Sequence, residues 1–285
     1  MRITFVTLLA LVTALGGQAA STIDPANRYA YGANLGWLDG RGDTNNGAVI
    51  GEYVCSGYLY AANAGWINLG NGSPTNGIQY QNVSAADFGV NLDGAGNLRG
   101  YAYAANLGWI NFEPTGAPKV DLLTGKLDGY VWSANCGWIS LSNTVAYVQT
   151  DTIAPGTDSD HNGLPDAWER QNFGFIGVDP NADPDHDGVS SRQEYLAGTD
   201  PNNGLDYLHI TRIQRGSASD TNYVTLLWSG VPSRFYAIQR RSTLDPATPW
   251  TETFTLPWPG VNNVGFDDTS GRSFYRIRSY RSLMP

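Results

Sequence analysis

Two stretches of the chain place oxygen-bearing side chains at alternating positions: DSDHNGLPDAWE, from Asp158 to Glu169, and DPDHDGVSSRQE, from Asp183 to Glu194. In the first, Asp158, Asp160 and Asn162 hold positions 1, 3 and 5, Gly163 position 6, Asp166 position 9 and Glu169 position 12. The second repeats the order with Asp183, Asp185, Asp187, Gly188, Ser191 and Glu194. Alternate side chains on a tightly turning loop converge on one centre, glycine permits the sharp turn, and a final Glu can chelate with both oxygens. The carbonyls of Leu164 and Val189 fall at position 7, while Asp166 and Ser191 can act through water. A set of hard oxygen donors at this spacing suits Ca2+. One match is easily found in an acidic linker, whose bland reading is a solvated charge run. Two complete matches whose starts lie 25 residues apart point to calcium instead. His161 and His186 occupy position 4, which faces outward, and are expected to be solvated rather than ligands.

Through those two loops and the following YLAGTDP, residues 158–201 resemble the thrombospondin type 3-like calcium repeats of secreted bacterial proteins. They are also similar to EF-hands and, less closely, to dockerin modules. The resemblance implies calcium binding and does not extend to an activity. Pro155 and Gly156 stand where an EF-hand would have its first helix, so no helix is expected to enter the first loop. Position 8 holds Pro165 and Ser190 in place of the aliphatic residue that EF-hands prefer. Short helices are expected to leave each loop, near Pro165–Asn172 and Ser190–Ala197, bringing Trp168, Phe173, Tyr195 and Leu196 together.

The charge balance singles out the same segment. Residues 151–204 hold 11 acidic residues against two Arg, a net −9, and the rest of the chain balances 15 acids with 15 bases. No basic face stands out, so nucleic acid is not an expected partner.

What positions this segment is a repeated phrase on its N-terminal side. YAYGANLGWLDG from Tyr29, YLYAANAGWINL from Tyr58, YAYAANLGWINF from Tyr101 and YVWSANCGWISL from Tyr130 are four copies of one pattern. Their central tryptophans, Trp37, Trp66, Trp109 and Trp138, lie 29, 43 and 29 residues apart. Tyr101 and Tyr103 alternate as in a strand, Asn106 and Gly108 suit a tight turn, and Trp109, Ile110 and Phe112 resume a strand. With VNLDGAGNLRG and VDLLTGKLDG upstream, a full copy reads as a three-stranded meander. Repeats of this length share one core, so the Tyr and Trp rings are expected to pack into an aromatic interior. The other reading is that the rings are exposed and stack on sugars. The stretch Thr144–Val148 after copy 4 is expected to pair with copy 1 and close the repeats into a ring or barrel, which removes open strand edges.

The expected organisation is mainly β. It comprises a signal peptide at 1–20, a four-copy aromatic β-repeat domain at 21–150, a double calcium-loop connector with short helices at 151–204 and a β-sandwich at 205–285. The signal peptide is read from Met1 and Arg2, the apolar Ile3–Leu15 and the small residues after it. No later run is apolar enough to span a membrane. Cys55 and Cys136 lie in related copies, and a disulfide and a pair of buried thiols are both open to them in an exported chain. No GxSxG, HExxH or phosphate-loop motif is present, Glu52 and Glu113 carry no glycosidase signature, and Arg41-Gly42-Asp43 is too short a match to assign adhesion. The chain therefore reads as a secreted, extracellular or cell-surface, calcium-binding, non-catalytic protein. Two roles fit it: structural or adhesive, with another surface protein as partner, or polysaccharide binding through the repeat aromatics.

Overall fold

The computed structural model describes residues 21–43, 45–216, 222–270 and 272–284, and the expected signal peptide lies outside them. Copy 1 supplies β1 (Ile23–Gly32) and β2 (Gly36–Asp39), and copy 2 supplies β3 (Ser56–Ala61) and β4 (Gly65–Asn71). A short β5 (Val90–Leu92) precedes copy 3, whose strands are β6 (Leu98–Ala104) and β7 (Gly108–Asn111). The ribbon β8 (Lys119–Val120) and β9 (Leu127–Asp128) precedes β10 (Tyr130–Ser133) and β11 (Gly137–Ser140) of copy 4, and β12 (Val148–Thr150) follows. The eight strands of the four hairpins pair in sequence order, and β11 pairs back onto β1. The mainly β fold thus contains a closed eight-stranded barrel.

Closure differs in detail from the sequence expectation. Copy 4 meets copy 1 directly, with Tyr31 opposite Ser140 and Gly32 opposite Ile139. The stretch expected to close the ring contributes only its end, where Val148 pairs with Arg28 beside the barrel. Val145 is 82% exposed in the turn before it.

The expected aromatic interior is also overturned. Within each hairpin the inward pairs are Ala30 with Leu38, Leu59 with Ile67, Ala102 with Ile110 and Val131 with Ile139. An eight-stranded barrel leaves just enough room for such side chains and none for the twelve Tyr and Trp rings of the four copies. Because side chains alternate along a strand, filling the interior with Ala, Ile, Leu and Val sends every Tyr and Trp outward. One end of the barrel is plugged by the turn residues Leu35, Ala64, Leu107 and Cys136, all buried. In each turn a glycine (Gly36, Gly65, Gly108 or Gly137) takes a positive φ between 70° and 84°. The turns also bind one another: Asn34 Nδ2 donates to the Cys136 carbonyl (3.2 Å), Asn63 to Leu35 (3.1 Å), Asn106 to Ala64 (3.1 Å) and Asn135 to Leu107 (2.9 Å). Each copy thus holds the copy before it, and the ring of bonds closes as the barrel does. Cys136 belongs to the plug and Cys55 is buried elsewhere in the same core, so both are unbridged thiols.

Helices α1 (Asp166–Phe173) and α2 (Ser191–Ala197) follow the two acidic loops, close to the expected positions. Their cluster contains Leu164, Trp168, Val178 and Tyr195, with Phe173 at its margin. Leu196 departs from expectation and is 48% exposed; Tyr53, from the loop before β3, packs there.

The remaining strands are β13 (Ile210–Arg215), β14 (Tyr223–Trp228), β15 (Phe235–Arg241), β16 (Thr251–Thr255), β17 (Asn263–Asp267) and β18 (Phe274–Tyr280). They form two three-stranded sheets, β13-β14-β17 and β16-β15-β18, around a core that includes Val224, Leu226 and Trp228 from one and Tyr236 and Ile238 from the other. After β18 the chain returns to the barrel, where Leu283 and Met284 pack on its core and the Ile153 N–H donates to the Leu283 carbonyl (2.8 Å). The Glu52 carboxylate anchors this junction. It pairs with Arg281 and accepts from the Tyr195 hydroxyl (3.1 Å) and the Gly156 N–H (3.2 Å). Arg281 in turn lies over the Tyr195 ring at 4.6 Å. Glu52→Ala would leave Arg281 and Tyr195 partly buried without their acceptor, a loss of about 3 kcal/mol. Urea denaturation should read this loss, and unchanged stability would show the junction to be incidental.

Candidate functional site

Both acidic loops fold on their own first carboxylate. Asp158 accepts the N–H groups of Asn162 (3.2 Å) and Gly163 (2.9 Å), and Asp183 those of Asp187 (3.2 Å) and Gly188 (2.9 Å). His161 (φ 60°) and His186 (φ 64°) sit in the left-handed region at the same loop position, exposed as expected. The position-5 side chains also correspond, Asn162 Oδ1 accepting from the Leu164 N–H (2.7 Å) and Asp187 Oδ1 from the Val189 N–H (2.8 Å).

The last carboxylate of each loop stands out for its burial. Glu169 and Glu194 are both fully buried, and Oε2 of each has no hydrogen-bond partner. Oδ2 of Asp185 and of Asp187 are likewise buried and unpartnered. Buried polar atoms are ordinarily satisfied, and a buried bare carboxylate is more costly still. In the second loop Asp183, Asp185 and Asp187 bring one oxygen each within 4.8 Å of one another. Burial, then Asp185 and Asp187, pushes the Glu194 carboxyl up to about 8. Burial and Asp187 raise Asp185 as well. These donors fit a hard divalent cation in size, charge and oxygen chemistry.

The first loop is less strained. The Asn162 amide reaches Asp160 Oδ2 (3.1 Å), Glu169 Oε1 (2.9 Å) and the Val178 carbonyl (2.9 Å), while Glu169 Oε1 also accepts the N–H groups of Gly177 (3.0 Å) and Val178 (2.7 Å). The residues expected to act through water are engaged locally: Asp166 accepts the Ser159 N–H (2.8 Å) and hydroxyl (2.6 Å), and the Ser191 hydroxyl donates to the Ala182 carbonyl (3.2 Å). Leu164 sends its side chain into the hydrophobic cluster. Sequence reasoning missed Thr199, whose hydroxyl donates to Glu194 Oε1 (3.4 Å), and the backbone groups of Gly177 and Val178. Thr199 follows the second loop in AGTDP and was legible there, whereas backbone donors leave no residue signal.

The barrel presents a second feature, repeated four times. Tyr31 and Trp37, Tyr60 and Trp66, Tyr103 and Trp109, and Trp132 and Trp138 are directly opposed pairs on adjacent strands. Their ring centroids lie 4.8 to 5.1 Å apart at 59° to 63°. A third ring, Tyr29, Tyr58, Tyr101 or Tyr130, meets each tryptophan edge-on at 6.1 to 6.3 Å. The four tryptophans are 44% to 46% exposed. Such a cluster offers a pyranose both a flat apolar face and hydroxyl acceptors at its rim. The clusters differ at their borders. Phe88 covers part of Trp109, centroid to centroid 5.1 Å. Trp132 and Trp138 instead border a recess of about 400 Å3 with Asn111, Glu113, Thr115 and Gly116, the size of a small-ligand pocket.

Among the described residues no helix is long and apolar enough to cross a membrane. Comparison of the chain with protein-family models, with curated proteins and with solved structures found no match.

Proposed function

We propose that this is a secreted, non-catalytic adhesive protein that binds polysaccharide through the aromatic clusters of its barrel and is stabilised by calcium in its connector. The observation that carries the reading is the exposure of four near-identical Tyr–Trp clusters around one barrel. Apolar rings half exposed at equivalent places are costly to leave in water without a partner, and four of them favour avidity for a repeating chain. The recess beside Trp132 and Trp138, with the Glu113 carboxylate at its border, is the place where a sugar hydroxyl would find an acceptor.

Calcium enters through the buried, unpartnered oxygens of Glu169 and Glu194. A purely structural role is the second reading, favoured by the Glu52–Arg281–Tyr195 junction that joins barrel, connector and C-terminal tail. A glycan array probed with the mature protein separates the two. Binding to neutral polysaccharides is expected; an array without signal would leave the structural reading alone.

A further inference from the structure

We propose that the outer face of sheet β16-β15-β18 carries an oxyanion site, built from Arg241, Arg276 and Trp250, for a carboxylate, sulfate or phosphate group. Gln239 pairs with Arg276 and Arg241 with Phe274 across β15 and β18, so the two arginines are diagonal neighbours on one face of the sheet. Both guanidiniums lie against the Trp250 indole, Arg241 Cζ at 4.5 Å and Arg276 Cζ at 4.7 Å from its centre. Cation–π contact holds them there and leaves their N–H groups to be satisfied by something else.

The chain satisfies them poorly. Among the described residues Arg241 reaches only the Leu244 and Asp245 carbonyls, both at 3.4 Å, and its Nε is buried without a partner. Arg276 spends its Nε on Gln239 (2.6 Å). Among the described residues neither forms an ion pair, whereas the adjacent Arg240 and Arg278 are matched by Asp268 (2.8 Å) and Glu252 (3.3 Å). Burial, then Arg241 and Arg278, holds the Arg276 guanidinium below its ordinary pKa. An oxyanion held by both guanidiniums offsets their repulsion and accepts from those of their N–H groups that reach solvent. The cations of residues 206–285 are nine arginines and no lysine, the side chain whose planar fork matches such groups.

The test is isothermal titration of the mature protein at fixed ionic strength with sodium sulfate, sodium phosphate and sodium galacturonate in separate runs. One site of about millimolar Kd is expected for at least one anion, the strength that a few charge-assisted hydrogen bonds support. A response to sulfate or galacturonate assigns the site to acidic glycans, and a response to phosphate alone to phosphoryl groups. Arg241→Gln and Arg276→Gln should each weaken binding about tenfold, while Lys119→Gln, an exposed charge in β8, should not. Trp250→Leu, which keeps both charges, should weaken it several-fold and serves if an arginine variant melts early. Absence of heat with all three anions, or equal weakening by Lys119→Gln, would overturn the proposal.

Discussion

Chelating calcium should lower the melting temperature of the protein by roughly 5–10 °C per occupied site, from about 2.7 kcal/mol of linkage at a hundredfold excess of ion over Kd. The basis is the crowd of carboxylates that the chain's own donors leave unsatisfied. Titration should count about two sites, and Glu169→Gln combined with Glu194→Gln should abolish both. The same carboxylates give a pH signature. In the metal-free chain the Glu194 carboxyl is raised from an ordinary 4.5 to about 8, so the folded state holds a proton that the unfolded state releases. That stabilisation is fully present below about pH 4.5 and is lost as pH rises through about 8. The chelated protein should therefore weaken from pH 5 to 8. With calcium the dependence should reverse, because the ion must displace that proton and binds less tightly at low pH. A silent titration at millimolar calcium, or an unfolding curve indifferent to chelator, would contradict this account of the loops.

Ile67→Ala should cost about 2–5 kcal/mol, and Trp66→Ala, one residue away, only about 1 kcal/mol. Ile67 is fully buried in the barrel, whereas Trp66 is 46% exposed on its outside. Removing the smaller side chain therefore opens a cavity in a closed core, and removing the larger one loses only a partly wet contact. Urea denaturation of the two variants measures the difference. Equal losses would mean that the rings hold the barrel together, as an aromatic core would.

That contrast shows where the sequence could and could not be read. The four hairpins were legible because the alternation of aromatic and aliphatic residues, the Asn-containing turn and the Gly before each Trp fix strand, turn and strand locally. Closure was legible in outline, because it removes the open strand edges that four like copies would otherwise leave. Its agent was not, since Thr144–Val148 and the direct pairing of Tyr31 with Ser140 satisfy the same edge and only tertiary geometry selects between them. The facing of the rings was misread because alternation alone states that Tyr and Ala lie on opposite faces, not which face is inside. Barrel diameter decides that, and it depends on strand number and tilt. In the connector the donors at loop positions 1, 3, 5 and 12 were all legible, and Thr199 stood within reach of such a reading, whereas the backbone N–H groups of Gly177 and Val178 meet Glu169 only through the fold. The arginine pair at Trp250 was invisible for a related reason: Arg241 and Arg276 are far apart in the chain and join through the β15–β18 register.

The central claim is that the exposed clusters bind sugar chains, and the most direct measurement is affinity electrophoresis of the mature protein in gels containing neutral polysaccharides. It should be run beside Trp37→Ala, Trp66→Ala, Trp109→Ala and Trp138→Ala and the variant combining all four. Retardation by at least one polysaccharide is expected, reduced by single changes, most by Trp138→Ala beside the recess, and absent in the combined variant while calcium binding persists. Undiminished retardation of the combined variant, or free migration of the wild-type protein in every gel, would contradict it.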